Sequence, residues 1–263
     1  MLVNILIAFA IVTLIGLVAG TLLAVASHYF SVKEDETVQL VRECLPGVNC
    51  GACGYTGCDE YAKAVAAGEA KVTLCVPGAA DTANAVAGVL GVEAESTAAQ
   101  VAFVRCNGNC EATSHRAHYE GIDTCAAATM LYGGPCACRF GCVGCGDCAA
   151  VCPTGAICTN DGLAHISKEI CIGCGLCVQT CPKQIIEMRP KDSTVVVLCS
   201  NTDKGALARK ACKNACIGCK KCELGCEQQA ITVQNNLARI DYGKCNGCGK
   251  CVANCPMHCI ATI

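Results

Sequence analysis

Residues 142–152 read CVGCGDCAAVC and residues 171–181 read CIGCGLCVQTC, so one cysteine pattern occurs twice, 29 residues apart. Both stretches recur 74 residues further along the chain, as residues 216–226 and 245–255. In each stretch three cysteines are separated by two residues, and a fourth cysteine follows after three more. Nested duplication of one small unit is the simplest interpretation of this pattern.

The spacing of each cysteine loop fits three corners of a four-iron, four-sulfur cluster, and small residues such as Gly173 and Gly175 let backbone N–H groups approach it. In two-cluster ferredoxins the fourth ligand is the last cysteine of the other motif. Carried over to this chain, the crossed arrangement predicts four cluster sites. They are Cys142, Cys145, Cys148 and Cys181; Cys171, Cys174, Cys177 and Cys152; Cys216, Cys219, Cys222 and Cys255; and Cys245, Cys248, Cys251 and Cys226. Glu227 follows Cys226 where the pattern expects proline, which affects chain direction more than ligation.

A different motif lies upstream and predicts a fifth cluster. Its ligands are Cys50, Cys53, Cys58 and Cys75, and glycines between the first three permit the tight turns that aim their sulfurs inward. We expect this motif to form a small domain over residues 36–92, with short helices at residues 60–69 and 82–90. Residues 91–100 are typical of a linker.

Zinc and disulfides are the alternative uses of cysteine in such numbers, here 30 in 263 residues. Disulfide-dense scaffolds are usually much shorter, and a four-ligand zinc site gives no role to a third cysteine in each loop plus a distant fourth. Five clusters, each netting about −2 with its thiolates, would add a charge of about −10. The loaded protein is therefore expected to be acidic, which argues against non-specific nucleic-acid binding.

The first 30 residues are predicted to form a transmembrane anchor. Residues 2–27 carry no charge and are almost all apolar, and such a helix is longer than the hydrocarbon layer of about 30 Å. A cleaved signal peptide is the alternative, since residues 24–26 resemble a cleavage site, although the apolar run exceeds a normal signal and no Lys or Arg precedes it. Iron–sulfur ligation requires a reducing compartment, so we expect a single-pass protein of the cell (inner) membrane with its soluble part on the cytoplasmic side.

The order of these features resembles the B component of the Rnf complex, the iron–sulfur electron-transfer subunit of a membrane-bound ferredoxin:NAD oxidoreductase that couples electron transfer to ion pumping. The resemblance covers essentially the whole chain and rests on the apolar N-terminus, on CGACGYTGC at residues 50–58, on RCNGNC at residues 105–110, on YEGIDTCAAATMLYGGP at residues 119–135, and on the ferredoxin-type loops. It implies an α+β chain with an N-terminal transmembrane helix, a small four-cysteine iron–sulfur domain and tandem two-cluster ferredoxin-like modules. The expected domains are residues 1–30, 36–92, a cysteine-containing connecting segment at 100–140, and modules at 141–190 and 191–263, the second inserted in or stacked on the first.

The resemblance leaves one ligand open and ten cysteines outside the five sites. Relatives often carry the pattern that Cys138, Cys142, Cys148 and Cys152 form here, so Cys138 competes with Cys145. A sixth cluster held by Cys106, Cys110, Cys125 and Cys138 is the further candidate. The alternative is a buried free thiol that packs as a small hydrophobe, especially for Cys158 and Cys259. The roles of Cys44, Cys136, Cys199 and Cys212 stay open.

The implied function is electron transfer without substrate chemistry on this chain, as part of a translocating oxidoreductase. Reduced soluble ferredoxin would donate electrons to the distal modules, and the Cys50 cluster would pass them to membrane subunits. A basic stretch could steer acidic ferredoxin, or could simply be a solvated face; it comprises Lys204, Arg209, Lys210, Lys213, Lys220 and Lys221. Two alternatives are a polyferredoxin subunit of a hydrogenase or formate-oxidising complex, which would need neither anchor nor Cys50 motif, and a zinc-bearing interaction scaffold.

Overall fold

The protein is represented by a computed structural model that describes residues 2–29, 35–93 and 98–263. Helix α1 (Leu2–Tyr29) is continuous over 28 residues. Within α1 the side chains of Ile7 and residues 13–26 are described, and their large apolar members are exposed. Among the described residues, no helix has both the length and the apolar character that crossing a membrane requires.

A three-helix domain follows, made of α2 (Glu36–Cys44), α3 (Cys58–Ala66) and α4 (Ala79–Leu90). Its core consists of Val41, Tyr61, Val65 and Val86, each at most 2% exposed. The two helices predicted here are confirmed, with α3 and α4 beginning two or three residues earlier than expected. Of the predicted linker, residues 94–97 lie outside the described residues.

The first ferredoxin-type module combines two antiparallel strand pairs with short helices. Strand β1 (Gln100–Val104) pairs with β4 (Ile186–Pro190), and β2 (Ile157–Asn160) pairs with β3 (Leu163–Ile166). The helices are α5 (Cys125–Met130), α6 (Asp147–Ala150) and α7 (Leu176–Thr180). Because β1 completes a sheet with β4, the segment predicted to connect the domains supplies an edge of this module.

The second module repeats the same plan. Strand β5 (Val195–Val197) pairs with β8 (Ile260–Thr262), and β6 (Ile231–Gln234) pairs with β7 (Leu237–Ile240). The helices are α8 (Gly205–Ala211), α9 (Lys221–Leu224) and α10 (Lys250–Asn254). In the sequence a short apolar stretch follows each cysteine loop and predicts a strand there. All four strands are present, as β2, β4, β6 and β8.

The two cysteines that were interpreted as buried thiols differ in the structure. Cys259 is 2% exposed in the core of the second module, which fits that interpretation. Cys158 is exposed on β2, and its placement as a buried hydrophobe is wrong. Side chains alternate between the faces of a strand, so the burial of Ile157 turns Cys158 toward solvent.

Arg105 joins the two modules through hydrogen bonds. Its guanidinium is 5% exposed, donates to Glu187 Oε1 on β4 at 2.5 Å, and donates to the carbonyl oxygen of Cys199 in the second module at 3.2 Å. A buried charge costs free energy unless it is paired and fully hydrogen-bonded. These contacts therefore make Arg105 a connection that the packed modules depend on.

Replacing Arg105 by Ala should destabilise the loaded protein by about 3 kcal/mol, because the change empties a buried site and leaves the Cys199 carbonyl without its donor. Arg139→Ala is the matched control: Arg139 pairs with Asp203 at 2.8 Å but is 61% exposed, so its loss should cost less than about 1 kcal/mol. Anaerobic thermal unfolding compares the two. Equal shifts of Tm would contradict the role of Arg105.

Candidate iron–sulfur sites

The four ferredoxin-type loops share one local geometry. Each begins with a cysteine stretch that has no regular secondary structure, turns through residues with positive φ, and enters a short helix whose second residue is the third cysteine. In each helix that cysteine is 6–7% exposed; they are Cys148, Cys177, Cys222 and Cys251. The loops therefore aim their sulfurs into the module core.

Glycine is required where a loop approaches another backbone. Gly173 has φ +71°, and a Cβ atom there would lie 2.3 Å from the carbonyl oxygen of Gln100 on β1. Lys220 occupies the position that is glycine in the other three loops and still adopts φ +60°. This left-handed conformation is unfavourable for a lysine and places its side chain beside Cys219 at the surface.

A cavity lies in the second module, and all four predicted ligands line it. These are Cys216, Cys219, Cys222 and Cys255. Cys259 lines the cavity as well, with its Sγ atom 3.5 Å from that of Cys255. The hydrogen bond from Cys259 lowers the pKa of Cys255 to about 5 and that of Cys216 to about 6, which favours the thiolates that bind iron.

The first module has a matching cavity, which is lined by a different set of cysteines: Cys125, Cys142, Cys148 and Cys181. The structure thus brings Cys125 to the wall where Cys145 was expected. The Cys145 thiol instead hydrogen-bonds Asp123 and Cys125, and burial followed by the neighbouring Cys125 raises its pKa to about 12. Asp147 accepts hydrogen bonds from the backbone N–H groups of Cys125 and Ala126 and so holds the start of α5 at the cavity.

In the remaining predicted sites, the thiols of each set are near enough to raise the pKa of one another. Burial, followed by the neighbouring thiols, raises the pKa of Cys177 to about 12; these neighbours are Cys171, Cys174, Cys148 and Cys152. Burial likewise raises the pKa of Cys251, with Cys245 and Cys248 adding to it. In the N-terminal domain, burial and then Cys58, Cys50 and Cys53 raise the pKa of Cys75. Each set is therefore close in space; Cys226, the fourth cysteine predicted beside Cys251, is partly buried.

The candidate sixth set is not brought together around one cavity. Cys106 and Cys138 line a cavity between the modules, Cys125 lines that of the first module, and Cys110 is exposed with its thiol donating to the carbonyl oxygen of Asp161 at 3.0 Å. Cys138 lies in the cavity between the modules rather than that of the first module, so it does not take the place of Cys145 there. Sequence reasoning missed Cys199 and Cys212, which line the same cavity as Cys106.

The donor sets fit iron–sulfur clusters on two observations. Sets of three or four cysteines surround buried space, and backbone N–H groups point at their sulfurs, as Ala102 N–H does toward Cys171 Sγ at 3.5 Å. In the part of the chain that the structure describes, no three His, Cys, Asp or Glu side chains converge around a single ion. A cubane holds its ligand sulfurs farther apart than one ion does, because each sulfur binds a different iron.

Comparisons with known proteins agree with this geometry. Models described as 4Fe-4S dicluster domains match residues 138–182, 170–231 and 215–259, and an Fe-S cluster domain model matches residues 45–77. The chain is 47% identical to the B component of the Na(+)-translocating ferredoxin:NAD(+) oxidoreductase complex of Acetobacterium woodii, over 98% of this chain and 78% of the relative.

Two further relatives extend the comparison. The B component of the proton-translocating ferredoxin:NAD(+) oxidoreductase complex of Clostridium ljungdahlii is 47% identical over 96% of this chain and 90% of its own length. The B component of the ion-translocating oxidoreductase complex of Methanosarcina acetivorans is 35% identical over 95% of this chain and 96% of its own length. The similarity therefore includes the N-terminal segment, the Cys50 motif and both modules.

The first-module cavity makes Cys125 and Cys145 distinguishable by mutation. Cys125→Ala should remove or convert one cluster and lower the iron content by up to about four atoms per chain, since it takes a thiol from the cavity wall. Cys145→Ala is the matched control and should retain full iron content. Anaerobic iron and sulfide analysis, with electron paramagnetic resonance of the reduced protein, measures both. The reverse result would restore Cys145 as the ligand.

Proposed function

Because this chain belongs to the B-component family of ion-translocating ferredoxin:NAD(+) oxidoreductase complexes, we propose that it accepts electrons from reduced ferredoxin and relays them to membrane subunits. Members of this family are iron–sulfur electron-transfer subunits of the Rnf complex, with 4Fe-4S dicluster domains. The observation that carries the proposal is the convergence of cysteine sets on buried cavities in both modules. Similarity over at least 95% of the chain favours this function over a polyferredoxin of another redox complex.

We assign at least five clusters to the chain, each of which supplies reversible one-electron chemistry when bound. The N-terminal domain would use Cys50, Cys53, Cys58 and Cys75, and the modules would use the sets that the loops predict. In the first module Cys125 is the preferred partner of Cys142, Cys148 and Cys181, because it lines their cavity. The protein's part is to exclude water, to supply thiolates and to direct N–H groups at their sulfurs.

The order of the cluster sites along the electron path follows from which cysteines of different sites are neighbours. Cys174 is close enough to Cys50 for that thiol to raise its pKa, after the larger effect of burial. Cys148 has the same kind of effect on Cys177, which joins the two sites of the first module. This neighbourhood supports the proposal that the N-terminal cluster passes electrons from the first module to membrane subunits.

We also propose that residues 1–30 hold the chain in the cell membrane as a single span, with the modules on the cytoplasmic side. This part rests on the uncharged sequence of residues 2–27 and on relatives named as subunits of translocating complexes. Residue 1 and residues 30–34 lie outside the described residues. Cluster ligation in a reducing compartment sets the orientation.

The acceptance site for ferredoxin is proposed at the second module. All six residues of the basic stretch are exposed, and the ligand Cys219 next to Lys220 is exposed as well. A positive patch beside an accessible ligand would attract an acidic partner and shorten the distance for electron transfer. The patch is formed on α8, on α9 and on the loop between them.

Metal analysis tests the electron-transfer proposal. Anaerobically purified protein in detergent should contain at least about 20 irons and as many acid-labile sulfides per chain, at four per cluster, and its visible absorption should bleach reversibly on reduction. Quantitative iron, sulfide and zinc assays with redox titration measure this. Zinc with little iron would overturn the proposal and leave a scaffold.

Charge reversal tests the docking site. The double variant Lys220→Glu with Lys221→Glu should lower the on-rate for reduced ferredoxin about tenfold at low salt and flatten its salt dependence, because the steering field changes sign. Lys168→Glu with Lys191→Glu is the matched control, since it makes the same charge change at exposed positions outside the basic stretch. Stopped-flow kinetics at several salt concentrations measures both. An unchanged rate in the first variant would contradict the site.

A further inference from the structure

A third buried cavity lies between the two modules and belongs to none of the five predicted sites. Six cysteines line it. Cys142 also lines the first-module cavity, and Cys136 comes from the same stretch as Cys138. The other four are buried or partly buried and come from distant parts of the chain: Cys106, Cys138, Cys199 and Cys212. Cys199 and Cys212 are each 6% exposed. These four thiols provide the donor set of an iron–sulfur site.

The four cysteines are related by the internal duplication. Cys138 recurs 74 residues later as Cys212, and each lies four residues before the first ligand of its module, Cys142 or Cys216. Cys106 and Cys199 each follow by two residues the end of an edge strand, β1 or β5. Each module therefore contributes one cysteine that precedes its first ligand and one that follows an edge strand. The site is nearly symmetric across the interface between the modules.

Backbone N–H groups converge on two of the sulfurs in matching pairs. Cys106 Sγ accepts from Gly108 N–H at 3.4 Å and from Cys142 N–H at 3.4 Å. Cys199 Sγ accepts from Asn201 N–H at 3.4 Å and from Cys216 N–H at 3.3 Å. Two amide donors to one buried sulfur stabilise a thiolate, as a metal ligand requires.

The other two sulfurs also have a defined environment. The Asn201 side chain, 1% exposed, donates through Nδ2 to Cys138 Sγ at 3.6 Å. A Cβ atom added at Gly108 would lie 3.3 Å from Cys212 Sγ, so the backbone approaches that sulfur closely. Three of the four sulfurs thus accept hydrogen bonds, and the backbone at Gly108 approaches the fourth.

We propose that Cys106, Cys138, Cys199 and Cys212 bind a sixth four-iron, four-sulfur cluster that connects the two modules. The inference rests on the proposed electron-transfer function. Its position is informative, because Cys142 and Cys216 each belong to a neighbouring site and each donate their N–H group to a sulfur of this one. The sixth site thereby closes the gap between the ferredoxin-facing module and the module beside the N-terminal domain.

Cys136 also lines the cavity but lacks the features of a ligand. The position 74 residues later is Lys210, so the symmetric site has no counterpart for it. Its backbone forms an isolated bridge with His115 on the outer segment of the first module. Cys136 is therefore a suitable control for a thiol at the same cavity.

The test compares Cys212→Ala and Cys199→Ala with Cys136→Ala in the full-length protein. Each of the first two should lose about four irons and four sulfides per chain and one paramagnetic centre on reduction, while Cys136→Ala keeps all of them. Full iron content in both ligand variants would overturn the sixth site. So would the loss of one zinc in place of iron, which would mark a structural zinc site.

The unmodified protein provides a measurement that does not depend on variant folding. Six clusters require about 24 irons per chain, whereas about 20 would overturn the sixth site and leave the proposed function intact. Little or no iron would instead overturn the proposed function itself. Pre-steady-state reduction by ferredoxin adds a further readout: without the sixth site, the second module should be reduced at the normal rate and the first module at least tenfold more slowly.

Discussion

The structure depends on the requirement that several cysteine sulfurs meet in a buried space that water does not enter. Burying a thiol in this way raises its pKa, as in Cys148 to about 11 and Cys177 to about 12, so these two thiols are neutral at ordinary pH before metal binds. Iron binding exchanges those protons for metal, which couples cluster formation to folding. The short strands and single-turn helices are too small to form a stable core by themselves.

Duplication gives this requirement its architecture. Two copies of a two-site module share loop geometry, strand pairing and the burial of the third cysteine of each loop. The copies differ at individual positions. Cys259 occupies the position in the second module that Ile185 occupies in the first, and its hydrogen bonds lower the pKa of Cys216 and of Cys255. Lys220 replaces a glycine at the surface of the same module. Both differences fall at the site proposed to receive electrons.

The interface between the copies is more polar than a simple packing surface. Arg105 reaches from the first module to the Cys199 carbonyl, and Asn201 reaches from the second module to the Cys138 sulfur. Buried polar groups of this kind are stable only when their partners are in place. These buried polar contacts fit an interface at which both modules together bind one charged group. They do not fit two modules that are joined only by a linker.

The amino-acid sequence by itself determined the class of cofactor, the loop positions, the four strands after the loops and the family, because ligand spacing and periodicity are local properties of the chain. It also contains the 74-residue relation between Cys138 and Cys212, a signal by which this pair could have been found. Only the tertiary structure decided that Cys125 rather than Cys145 lines the first-module cavity, and that Cys106 and Cys199 meet. These pairings arise from the packing of α5 and of the two edge strands across long stretches of chain, and no spacing rule encodes such contacts.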